Sequence, residues 1–185
     1  MIADIMKATE DRMVKTIESL EEDLRGVRTG RASPALVERV LVTYYGVATP
    51  LIQLAGISAP QPQLLLIRPF DPASITAIEK GILQADLGLN PNSDGRVVRI
   101  PIPRLTEERR REMVKMVKRR VEEGKVALRN IRRDALEEMR EYEDEKLISE
   151  DDRKRGQEEL QKLTERMIEK ADEVGAHKEQ DIMEV

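Results

Sequence analysis

The sequence predicts an α+β protein, an elongated antiparallel three-helix bundle into which a small β/α/β domain is inserted. Three observations predict it. Eight of the nine prolines fall in residues 50 to 103 and the ninth is Pro34, so long stretches at both ends of the 185-residue chain have none. Those stretches repeat apolar residues every three or four positions, whereas the middle of the chain alternates. Charged residues make up 37% of the chain and aromatics only 2%, which suits narrow apolar seams on solvated helices better than one large core.

The first helix is expected over residues 2 to 28, where Met6, Met13, Leu20 and Val27 recur every seven residues and Ile17 and Leu24 fill the alternate seam. A second, about 40 residues long, is expected after Thr106, whose hydroxyl can cap it while Glu107 and Glu108 suit the positive end of the helix dipole. Its seam runs through Val114, Val117, Val121, Gly124, Leu128, Ile131, Ala135 and Tyr142. A third starts at Ser149, which with Asp152 has the spacing of a capping box, and buries Leu160, Leu163, Met167, Ala171 and Val174.

Between the first two helices, residues 39 to 45, 63 to 68 and 96 to 102 read as short strands, the last one following the turn Asn92-Ser-Asp-Gly95. Asp71-Pro72 opens a further helix with Ile75, Ile78, Ile82 and Leu83 as its buried side, although Gly81 within it costs about 1 kcal/mol relative to Ala. The expected division is therefore residues 1–30 and 105–185 for the bundle and 31–104 for the inserted domain. Two segments join them, with Gly30, Arg31, Pro103 and Arg104 as hinge residues.

The composition also excludes chemistry. Cysteine is absent, which removes disulfides, thiol nucleophiles and thiolate metal sites and fits a reducing cytoplasm. Charge appears too early for a signal peptide, and the longest apolar run is Leu64 to Ile67, so neither export nor a membrane is expected. The single histidine, His177, sits among Lys178, Glu179 and Asp181 with no orienting partner, as a surface residue would. Asn90 to Gly95 resembles the start of a calcium loop, but Pro101 stands where the bidentate Glu is needed, so a tight turn is expected. Gly26 and Gly30 flank a basic turn without the Lys-Ser or Lys-Thr of a phosphate-binding loop. No catalytic residue, cofactor or metal ligand is nominated.

The formal net charge of −4 conceals a contrast: residues 106–133 carry +6 and residues 134–185 carry −10. At 100° per residue Arg111, Lys115, Lys118, Lys125, Arg129 and Arg132 form one stripe beside the apolar seam, interrupted by Glu122, while Arg133 is read as pointing away. Such a stripe suits a nucleic-acid backbone, and so few aromatics argue for phosphate and shape recognition of folded RNA over base stacking. The same cations suit pairing with carboxylates of neighbouring helices, and on composition the two readings stand side by side.

Five stretches carry a resemblance: Arg28-Thr-Gly-Arg-Ala-Ser-Pro-Ala35, Tyr44-Tyr-Gly46, Asp86-Leu-Gly-Leu-Asn-Pro-Asn92, Leu105-Thr-Glu-Glu-Arg-Arg110 and Arg129-Asn-Ile-Arg-Arg-Asp-Ala135, continuing through Gln161-Lys-Leu-Thr164. In order and spacing the chain resembles the bacterial ribosome recycling factor family. The resemblance implies an L-shaped, monomeric, cytoplasmic translation factor that needs no cofactor and catalyses no bond chemistry. Its expected partners are large-subunit rRNA at the intersubunit tRNA sites and elongation factor G, with which, at the expense of GTP, it promotes subunit separation and release of mRNA and tRNA. It implies that the family's sensitive arginine falls on Arg132, with Arg129 beside it and with Arg28 and Arg133 as further carry-overs. Lys125, Lys118 and Arg111 join that RNA-binding set from the stripe. The alternative is a helical scaffold that binds a protein partner.

Overall fold

The computed structural model describes residues 1 to 184. The described residues divide into two compact units: Met1–Val27 with Arg111–Asp181, and Arg28–Arg110 with residues 182–184.

The first unit is the bundle. Helix α1 spans Ile2–Arg25, α3 Glu107–Asp144 and α4 Glu150–Met183. The 38 residues of α3 extend about 57 Å at 1.5 Å per residue. Thr106 Oγ1 accepts from the Arg109 amide at 3.2 Å, the expected cap. At the start of α4 the Ser149 amide donates to Asp152 Oδ2 (3.2 Å) and the Asp152 amide donates to Ser149 Oγ (3.1 Å), a reciprocal capping box. Bonds from the Ser149 hydroxyl and amide hold the Asp152 carboxyl below its ordinary range.

Pairs of touching residues give the direction of each helix. A Cβ at Gly124 on α3 would lie 3.4 Å from Leu20 on α1, and Arg12 pairs with Asp134, so α1 and α3 run antiparallel. Lys125 with Asp172 and Arg153 with Glu143 set α4 antiparallel to α3. The seams bury Met13, Ile17 and Leu20 of α1, Val117, Leu128 and Ile131 of α3, and Leu160, Leu163 and Met167 of α4. Each fully buried aliphatic side chain contributes about 1.5–3 kcal/mol. Close approach at one point depends on a missing side chain: a Cβ at Gly175 would lie 2.5 Å from Val121 Cγ2. The α1 seam shifts from the expected register. Ile5 and Thr9 are buried, whereas Met6 and Val27 are only partly covered.

The second unit holds six strands and helix α2 (Ile75–Gln84). Strands β1 (Leu41–Tyr44) and β2 (Val47–Pro50) form a hairpin; β3 (Ala55–Gln61), β4 (Leu64–Pro69), β5 (Asn92–Ser93) and β6 (Val98–Pro101) form an antiparallel sheet in the order β3-β4-β6-β5. In the β4–β6 ladder Leu65 stands opposite Ile100 and Ile67 opposite Val98, and all four are buried on the core face. Ile75, Ile78 and Ile82 of α2 join that core. Leu83 does not; it is exposed, because it lies 100° beyond Ile82, and Gly81 is buried in its stead. Gly81 allows α2 to approach β1, since a Cβ there would lie 3.1 Å from the Leu41 carbonyl oxygen. The β-strands outnumber the three expected: β2, β3 and β5 carry no clear alternation.

Two aspartates build local structure here. Asp71 Oδ1 accepts from the Ala73 amide (2.9 Å) and its Oδ2 from the Tyr44 hydroxyl (2.9 Å), which ties the β1–β2 tip to the start of the helical segment. Asp94 accepts from the Arg96 and Val97 amides and from Arg99, so it serves the turn, and those donors, the Val97 amide foremost, depress its pKa strongly.

Candidate nucleic-acid interface

The buried residues of α3 fix its inward side, and the cations fall into place around it. Lys125 and Arg132 sit closest to the seam, on the flank towards α4, and both are half-buried. Lys125 Nζ lies 2.6 Å from Asp172 Oδ1 and only 19% of its side chain is exposed. That ammonium is committed to the bundle, as the ion-pairing reading expects. Arg132 Nη1 donates to Gln161 Oε1 at 2.7 Å, and its Nε is buried with no hydrogen-bond partner. Its acceptor is a neutral amide and not a carboxylate.

Further out, Arg129 Nη1 is 3.0 Å from Glu122 Oε1 and half its side chain is open to solvent, a pair of the kind worth about 1 kcal/mol or less. The interrupting Glu122 is thus the partner of a stripe residue. Lys118 is exposed, and no ion pair or hydrogen bond of its side chain occurs among the described residues. The same holds for Arg133. It stands 18 residues, about five turns, after Lys115, so it lies on the stripe's side of the helix and does not point away from it. Arg111 is exposed near the start of α3. Arg28 belongs to the second unit, where it is half-buried and donates to the Leu87 carbonyl at 3.4 Å.

The four expected hinge residues all fall in the second unit. Gly30 is buried at φ +79°, a left-handed conformation that favours glycine, and a Cβ there would meet Leu105 at 3.4 Å. Arg31 donates to the Glu184 carbonyl at 2.8 Å. Pro103 and Arg104 are exposed and lie outside regular structure between β6 and α3. His177 is exposed on α4.

Sequence reasoning singled out the cations but missed the residues that partner them. Asp172 was legible only as a member of an acidic helix, as was Glu165, which bonds Gln161 and not a cation, and Gln161 was named only within the resemblance. Laying the α4 seam antiparallel to that of α3 brings Asp172 beside Lys125 and Gln161 beside Arg132, and that alignment was the available signal.

The fold defines a class: a helical-bundle protein with an inserted sheet unit and a row of cations along its long helix α3. A family model described as Ribosome recycling factor matches residues 20–183. The Ribosome-recycling factor of Heliobacterium modesticaldum is 55% identical over 185 residues and that of Roseiflexus sp. 52%, each comparison spanning 100% of both chains. Among solved structures, a solution structure of the ribosome recycling factor matches with a TM-score of 0.80 at 43% identity, covering 100% of this chain and 98% of that one. A second, at TM-score 0.69 and 45% identity over 99% of each chain, comes from models for the T. thermophilus ribosome recycling factor and the E. coli elongation factor G bound to the E. coli post-termination complex. The chain belongs to the ribosome recycling factor family, whose members are translation factors and not enzymes.

Proposed function

We propose that this protein binds the post-termination ribosome in the cytoplasm and, with elongation factor G and GTP, promotes subunit separation and release of mRNA and tRNA. The reading is supported by full-length identity above 50% to curated ribosome-recycling factors and by the partners of the related structure. Its physical core is the outer face of α3. There Arg132 keeps an uncompensated guanidinium, Arg129 is weakly paired, and Lys118 and Arg133 are open, an arrangement that grips phosphates of folded large-subunit rRNA. Lys125 supports the bundle more than the face. Arg28 and Arg111 stay in the proposed set on the strength of the family resemblance and the stripe respectively.

The second unit acts as the lever, hinged at Gly30, Arg31, Pro103 and Arg104. Tyr45 and Phe70, 83% and 73% exposed, suit a protein partner there, because exposed aromatics are favoured at protein interfaces. No helix among the described residues is long and apolar enough to cross a membrane.

The test is a subunit-separation assay on post-termination ribosomes followed by light scattering. Splitting should require this protein, elongation factor G and GTP together; splitting at the same rate without this protein refutes the reading. The scaffold alternative draws on the ion pairs Lys125–Asp172 and Arg12–Asp134, which tie cations of the bundle to its own carboxylates. A scaffold would hold its partner with little dependence on ribosomal RNA.

A further inference from the structure

Three long cations crowd the α4 side of α3 within eight residues, and their partners differ in charge. Lys125 faces the carboxylate of Asp172 and Arg129 that of Glu122, whereas Arg132 faces the amide oxygen of Gln161. A carboxylate both orients and neutralises a guanidinium; an amide oxygen only orients it. The amide has a second bond, from Gln161 Nε2 to Glu165 Oε1 at 2.7 Å. Turning the amide over would set its NH2 group against the guanidinium donors and its oxygen against the carboxylate. Glu165, one turn along α4, therefore fixes which end of Gln161 meets Arg132. A relay results, Glu165 to Gln161 to Arg132, in which the negative charge stands one residue removed from the cation.

We propose that Gln161 is a positioning residue for Arg132, an amide saddle that aims the guanidinium without discharging it, with Glu165 locking the saddle's orientation. The proposal rests on reading the α3 face as a phosphate-binding surface. Arg132 itself is half-buried with its Nε–H enclosed, so few of its rotamers survive packing, and the Gln161 bond selects among them. Losing that selection costs affinity because an arginine free to wander must be ordered again when it binds.

Gln161 is exposed, so its replacement leaves the apolar seam intact. Binding of Q161M, R132A and the double variant to purified large ribosomal subunits, measured over a range of salt, separates the cases. Q161M should bind about three- to tenfold more weakly with an unchanged salt slope, because the charge remains. R132A should lose affinity and lower the magnitude of the slope by about 0.7–0.9. In the R132A background Q161M should add nothing. An equal Q161M loss in that background shows that Gln161 acts on its own and overturns the proposal, as does wild-type binding by Q161M when R132A is impaired. Wild-type binding by R132A refutes the phosphate face instead, and the proposal with it. In the free protein, 15N relaxation of the Arg132 Nε–Hε group should show a lower order parameter in Q161M with Arg133 unchanged; an unaltered Arg132 signal refutes the positioning.

Discussion

Adding one methyl group at two glycines of the bundle should change its stability in opposite directions. In a helix interior Gly→Ala gains about 1 kcal/mol from backbone entropy alone. At Gly175 the new Cβ would stand 2.5 Å from Val121 Cγ2, whereas at Gly124 it would stand 3.4 Å from Leu20 Cδ2. Ordinary carbon contacts begin near about 3.5 Å. Val121 is 8% exposed and branched at Cβ, so it yields only by a rotamer change or by moving α3 about 1 Å from α4, an overpacking that costs about 1–3 kcal/mol. Leu20 gives way by a slight rotation of a flexible tip. Net, G175A should lose about 1 kcal/mol and G124A should gain up to about 1 kcal/mol. In a unit of about 100 residues, 1 kcal/mol moves Tm by about 4–8 °C. Thermal unfolding followed by circular dichroism in the far ultraviolet reads both. A G175A protein as stable as the parent would show that the helices do not meet at Val121 as described, and a destabilised G124A would undo the comparison from the other side.

Further outcomes are expected. K125A should lower bundle stability by about 1 kcal/mol or less, the range for a pair whose aspartate is half exposed, and leave the salt slope of ribosome binding within error, in contrast to R132A. On acidification the fold should weaken: Asp94 and Asp152 have folded pKa values below the ordinary 3.8, so the stability they contribute is present above 3.8 and is lost as pH falls through their depressed values. Acid titration of D152N should show a shallower loss than the parent; an identical profile would remove Asp152 from that account. G30A places a side chain at φ +79° beside Leu105 and should cost about 1 kcal/mol or more in a denaturant titration while slowing subunit splitting; unaffected splitting would count against a hinge at this position.

What was legible in the sequence followed from physics that acts locally. Thr106, Asp71 and the Ser149–Asp152 pair announced helix starts because each cap needs only residues two or three apart. Seams were legible because a helix converts spacing into direction. Leu83 was lost through treating an apolar neighbour as a member of the stripe, when one residue's rotation carries it out. Strand β3 escaped because it is mostly exposed and includes Gly56 and Pro60, so alternation leaves no trace. At the candidate face the cations could be placed but their state could not. Whether a lysine is spent or free was decided by Asp172, 47 residues away, and no periodicity along α3 contains that information.

The edges of the four-stranded sheet have a consequence for crowded solutions. A bare strand border invites a neighbouring molecule to extend the ladder, the first step towards fibrils. Here one border is β5, only two residues long, and the other is β3, whose pairing with β4 slips between Ser58 and Gln61 and whose Pro60 has no amide hydrogen to offer. Neither presents a continuous template, so copies held at high local concentration have no ready way to zip together through this sheet.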